Sequence, residues 1–287
     1  MVIDRRKLTA GVLVCAGLLL LYREVLTKLV GAWITDDNYS HGFFIIPIAA
    51  YFAWDQRGRL VAAKSRPSLF GLIVVAGSAL VLAAGVLGAE LFLTRISFLG
   101  MICGIVLFLF GWAQLRILAF PLAFLVLMIP LPAIIFNQIA FPLQLLASRA
   151  GEFALTSANI PVLREGNVLV LANTSLEVAE ACSGIRSLVS LLTLGLTFGY
   201  FVDSRVWVRT AIALSTIPVA IVSNGLRVAG TGIAAHHFGA AAAEGFFHEF
   251  SGWVVFIVAF ALMLGIQRVI VWLVPPPVAP APTVLAT

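Results

Sequence analysis

Three short polar clusters interrupt an otherwise apolar chain, and their side chains are the types that acyl-transfer chemistry uses. The first is Glu177-Val178-Ala179-Glu180-Ala181-Cys182-Ser183-Gly184-Ile185-Arg186. The second is Asn224-Gly225-Leu226-Arg227, and the third is Phe247-His248-Glu249-Phe250-Ser251-Gly252-Trp253. A cysteine attacks as thiolate, so a nucleophilic Cys182 needs a pKa below the free value of roughly 8.5. The apolar run opening at Gly184 reads as a helix, whose free N–H groups and dipole favour negative charge just where Cys182 stands. His248 can take or return a proton near neutral pH. Arg227 keeps its charge and donates forked hydrogen bonds, which suit a tetrahedral oxyanion. Each residue also has a plain reading: a structural cysteine at a helix start, an arginine snorkelling to an interface, a surface histidine. Their convergence is what favours a catalytic set of Cys182, Arg227 and His248.

Other polar residues rank as supporting positions. Glu180, Ser183, Arg186, Asn224 and His41 are candidates for holding or orienting a substrate. Glu177 and Glu180, three apart, share a face if that stretch is helical; both oppose a thiolate, so direct contact with Cys182 is not expected. The adjacent pair His236-His237 competes with His248 as the base. If that segment stays helical, His236 lies nine residues from Arg227, roughly 14 Å along the axis, too far to share a centre unless the chain turns back. His41, in Tyr39-Ser40-His41-Gly42, opens an apolar run and suits a structural role at the interface.

The elements that must position these residues are membrane helices. The chain has 287 residues, 61% hydrophobic and 11% charged, more apolar surface than a soluble domain can hide. Runs near the ~20 residues needed to cross a ~30 Å hydrocarbon layer recur from end to end. The reading is an all-α polytopic bundle of about eight spans, at roughly 8–31, 41–54, 69–88, 93–112, 116–135, 184–202, 206–235 and 247–273. Met1 to Tyr22 resembles a signal peptide, with Arg5, Arg6 and Lys7 at its start. No small-x-small site precedes Arg23, so it reads as a retained first helix. Residues 1–274 form one membrane domain, followed by a Pro/Ala tail over 275–287 without a core-forming pattern.

Charge sets the orientation. With the N-terminus inside, inner segments hold eleven of the 18 basic residues, most clearly Arg57, Arg59, Lys64 and Arg66 in one short loop. Both termini are then cytoplasmic, and all three polar clusters fall near the outer face. Trp33, Trp54, Trp112 and Trp207 stand near span ends, as interfacial belts require. The long outer segment 136–183 begins with an amphipathic, Pro-interrupted stretch expected to lie along the membrane surface. Two β-prone runs around Gly166 follow, a candidate hairpin over 162–170. Gly100-xxx-Gly104 and Gly195-xxx-Gly199 allow close helix packing.

The net charge of +5 is scattered in short clusters between apolar runs, which argues against nucleic-acid binding. Cys15 and Cys103 read as small buried hydrophobes inside apolar segments. There is no CxxC or Cys/His ligand spacing, and neither cofactor nor metal is expected.

The clusters resemble the exosortase/archaeosortase family of membrane proteins. The match lies in Glu180-Ala181-Cys182-Ser183-Gly184-Ile185-Arg186, in Asn224-Gly225-Leu226-Arg227-Val228, and in His248 followed by Ser251-Gly252-Trp253. Tyr39-Ser40-His41-Gly42-Phe43-Phe44-Ile45-Ile46-Pro47 is similar to the family's amino-terminal signature, and the resemblance spans most of 33–270. It implies a Cys-Arg-His set at Cys182, Arg227 and His248. It also implies a thiol protease or transpeptidase in the bacterial inner membrane. Its partners are then membrane-anchored proteins bearing a carboxy-terminal sorting signal: a short Pro-Glu-Pro-like motif, one transmembrane helix and a basic tail. Cleavage at that motif leaves an acyl-enzyme for water or for an amine or glycan acceptor. The family is linked to bacteria that make extracellular polysaccharide, and membrane lipids are its surroundings. The rival classes are a transporter or flippase for an anionic lipid-linked substrate, and an acyltransferase that relies on His248 alone.

Overall fold

A computed structural model describes residues 5–172, 174–178, 185–203, 205–239 and 246–274. Helices dominate, and the chain divides into two compact units, Met1–Phe136 and Asn137–Thr287.

In the first unit, α1 (Arg5–Leu21) and α2 (Arg23–Thr35) meet at a 66° bend. The bend has no local sequence cause. Tyr22 at the corner is fully buried, and its hydroxyl hydrogen-bonds Ser97 Oγ at 3.1 Å. A tertiary contact therefore breaks what the sequence alone reads as one span.

After α3 (Gly42–Asp55) and the short α4 (Arg57–Ala62), α5 (Phe70–Leu87) and α6 (Leu91–Leu109) form a tight hairpin. A Cβ on Gly104 would come within 2.9 Å of Val75, and one on Gly100 within 2.6 Å of Ser78 Oγ. Only hydrogen fits there, so the expected close packing is real. The Glu90 carboxylate caps α6 by accepting from Leu93 N–H at 2.7 Å.

α7 (Trp112–Phe124) tightens into a 3-10 turn (Leu125–Met128), and the helix stops before Pro130 and Pro132. That break leaves carbonyls without helical partners. Trp33 Nε1 donates to Met128 O at 2.9 Å, and the His41 ring bonds Leu127 O at 3.1 Å. Trp33 is accordingly buried, a cap for the broken helix and not the interfacial residue its position suggested. Cys15 also departs from expectation: it lies on the exposed side of α1, while Cys103 is partly buried.

The second unit takes most of α8 (Ala133–Ser157), then β1 (Val162–Glu165), β2 (Val168–Leu171) and β3 (Ser175–Glu177), an antiparallel meander in the order β1-β2-β3. The expected hairpin is present, with Gly166 at φ +64° in its two-residue turn, a conformation glycine adopts without steric cost. The third strand was not foreseen. Pro142 lies inside α8 without breaking it; the real interruption is at 129–132. Ala147, Leu155, Ile160, Leu169, Leu171, Val178 and Val228 form one apolar core that ties α8 and the sheet to α10 (Val206–Phe238). A second core joins α9 (Ile185–Val202), α10 and α11 (Phe246–Leu273) through Leu191, Val219, Ala220 and Ala259.

By length and composition, five described helices can cross a membrane alone, and up to seven if each bent pair is one span. The 14-residue α3 is a shorter apolar helix. The all-α polytopic architecture holds, with a small sheet added.

Candidate active site

The site residues ride on an antiparallel triplet whose register can be read at several points. Gly199 packs against Arg209 and Gly195 against Thr216, each close enough that a Cβ would lie within 3.3 Å and 2.6 Å. Continued along the same helices, that register brings Arg186 level with Ser223 and Asn224. For α10 and α11, Arg205 Nη2 donates to Val274 O at 2.8 Å at one end. Near the other end, a Cβ on Gly252 would sit 3.9 Å from Arg227 Nη2. Arg227 thus reaches across to the start of α11. His248 lies one turn before Gly252 in the same helix.

Axial length supports the grouping. Arg227 lies 21 residues beyond Val206 on α10, roughly 32 Å at 1.5 Å per residue, about one hydrocarbon thickness. Arg205 and Arg209 therefore occupy one end of the triplet, and Arg227 with His248 the other. Ser223 and Asn224 are buried, at 1% and 3% exposure, and Arg186 and Arg227 are partly buried. Each of these two guanidiniums has its Nε shielded from solvent.

Cys182, Glu180 and Ser183 lie outside the described residues. The chain on either side of them is placed. Val178 is buried in the α8–sheet core. Its N–H donates to Asn167 O at 2.9 Å, and its carbonyl accepts from Asn167 Nδ2 at 3.3 Å. Downstream, Ile185 is buried at the start of α9. Connectivity alone keeps Cys182, three residues before Ile185, within roughly 11 Å of it. Glu177 belongs to β3 and not to a helix, so the helical premise that paired it with Glu180 fails.

His41 belongs to the first unit. Its ring bonds a carbonyl, which can only accept, so the Nε2 that makes the bond carries the proton. α10 continues unbroken to Phe238, so His236 lies nine residues past Arg227 on a straight path. The helical path on which His248 was preferred over the His236-His237 pair is therefore present.

Some positioning residues gave no local signal. Arg164 Nε donates to Glu152 Oε2 at 2.7 Å, and its Nη1 to Gly166 O at 3.0 Å. The buried Ser148 donates to Gly166 O, also at 3.0 Å. Together they fasten the hairpin turn to α8. Asn167, next in that turn, fastens the strand leading toward Cys182. Among the described residues no group of His, Cys, Asp and Glu is arranged to hold a metal.

The fold defines a polytopic helical membrane protein with a polar cluster at one end of an antiparallel helix triplet. A family model of transmembrane exosortases matches residues 33–265, most of the chain, and the chain belongs to that family. Neither the curated proteins nor the solved structures yielded a match. Membership implies a role in processing sorting signals, within a family of membrane proteases and transpeptidases.

Proposed function

We propose that the protein cleaves carboxy-terminal sorting signals of membrane-anchored, exported proteins through a thioester on Cys182. The observation that carries this reading is the approach of Arg227 to Gly252, one helical turn from His248. That contact puts a permanent cation beside the start of the helix to which His248 belongs.

The Cys182 thiolate adds to the carbonyl carbon of the scissile peptide, and the carbonyl oxygen becomes an oxyanion facing the Arg227 guanidinium. Collapse re-forms the C=O and breaks the C–N bond; His248 gives its proton to the leaving amine. The acyl group is then a thioester. Water or an acceptor amine attacks it, His248 takes the proton, and the thiolate departs. Arg186 and Asn224, level with each other near the same end of the triplet, serve substrate binding. The orientation in which basic residues lie inside supports chemistry on the outer side of the bacterial inner membrane.

The test is chemical. Purified protein is mixed with a synthetic Pro-Glu-Pro peptide, quenched in acid and measured by intact mass. An adduct of the acyl fragment that maps to Cys182 and is released by hydroxylamine supports the thioester. Turnover of the peptide with no such adduct, even after rapid quenching, refutes covalent catalysis.

A further inference from the structure

A cavity of about 850 Å³ lies in the first unit between the bent α1–α2 pair and the α5–α6 hairpin. It exists because Tyr22 holds the bend against Ser97, turning Arg23 and Lys28 toward the start of α6. Arg95, from the first turns of α6, lines it. This side chain is only 5% exposed, its Nε has no hydrogen-bond partner, and its Nη2 reaches Lys28 O only at 3.5 Å. It forms no ion pair among the described residues. A smaller cavity of about 260 Å³ adjoins the same residue near Pro130 and Leu131.

A guanidinium removed from water with an unpartnered Nε, and with only the charge of Glu90 nearby and no ion pair to it, is costly, so burial of this kind points to an anion that completes it. Arg23, Lys28 and Arg95 outnumber Glu24 and Glu90 in the lining. The Glu90 carboxylate is already turned to the end of α6. The remaining wall is apolar. Leu82 and Val86 lead onto α5, a candidate span whose outer face exposes Ile73, Leu80 and Val86. A free anion has no use for that wall, whereas acyl chains do.

We propose that this cavity retains one phospholipid, with its phosphate against Arg95, Arg23 and Lys28 at the rim, and its acyl chains along α5. Arg–phosphate hydrogen bonds are charge-assisted, the strong kind. The site is separate from the chemistry proposed for Cys182 and stands without it.

The full chain is extracted in mild detergent, exchanged into lipid-free micelles, and examined by native mass spectrometry. Phosphatidylglycerol or phosphatidylethanolamine is then added back. The wild type should hold one phospholipid, and Arg95→Gln should weaken its retention by about tenfold or more. Arg95→Lys should keep part of it, and Arg164→Gln, on the other unit, all of it. Ala83→Trp, which fills the cavity from α5 and leaves Arg95 intact, should also expel the lipid; it decides the matter if Arg95→Gln does not fold. A wild type that binds no phospholipid overturns the proposal, as does equal retention by Ala83→Trp. Displacement of the lipid by millimolar inorganic phosphate overturns it too, because the acyl chains would then contribute nothing.

Discussion

Gly252 offers a graded test of whether the position of Arg227 matters to catalysis. A Cβ placed there would stand 3.9 Å from Arg227 Nη2, ordinary van der Waals contact, so Gly252→Ala should leave the guanidinium in place. It should also favour the helix by up to about 1 kcal/mol. Gly252→Val adds two γ carbons roughly 1.5 Å further out, in two of the three staggered positions. A γ carbon turned toward the arginine could approach to roughly 2.4 Å, against an optimal contact near 3.5 Å, so the guanidinium must retreat by about 1 Å. Misplacement of that size costs about a hundredfold in rate. The assay is the initial rate of peptide cleavage by purified protein, with thermal stability recorded for each variant. The expected order is alanine within about threefold of wild type and valine about a hundredfold down, with both folded. Valine at the wild-type rate would refute the placement of Arg227 in the reaction. Alanine as damaged as valine would show that glycine itself, and not the room for Arg227, is what the site needs.

Further outcomes follow from the same geometry. Arg227→Lys keeps the charge but loses the fork, and cleavage should fall about 10²–10³-fold while KM changes little; an unchanged kcat would contradict the oxyanion role. Leu169 is fully buried in the α8–sheet core, so Leu169→Ala should destabilise that unit by about 2–5 kcal/mol, read as a lowered Tm and lost cleavage. His41 donates to Leu127 O, so His41→Ala, which leaves that carbonyl without its donor, should destabilise the first unit by about 1–3 kcal/mol and lower Tm. His41→Gln, which can still donate, should keep most of the stability; equal Tm values for the two variants would contradict the capping role.

Much of the architecture was legible because apolar run length is dictated by the bilayer. The runs around Phe70–Leu87, Leu91–Leu109, Ile185–Val202 and Phe246–Leu273 appear within a few residues of where composition put them. Gly166 announced its turn, since few residues tolerate a positive φ. Features fixed by contacts between distant residues were not legible. The bend at Tyr22 depends on Ser97, 75 positions away, and nothing near Tyr22 in sequence predicts it. The Glu152–Arg164 pair and the Asn167–Val178 clamp are likewise products of folding around α8 and the sheet. Pro142 misled for the opposite reason: proline marks a helix break only where the surroundings do not absorb it, and α8 passes through it intact. For the site, residue types and alternating spans were enough to put Arg227 and the start of α11 together. The contact at Gly252 and the unbroken run of α10 to Phe238, which carries His236 nine residues past Arg227, became visible only in the fold.

The most direct test of the central claim compares wild type with Cys182→Ala in cells that carry a membrane-anchored Pro-Glu-Pro reporter. Reporter size and enzyme level are followed by immunoblot. Shortening of the reporter by wild type alone, at equal enzyme levels, is the predicted result. Normal shortening by the Cys182→Ala variant would contradict the account and move catalysis away from the cysteine.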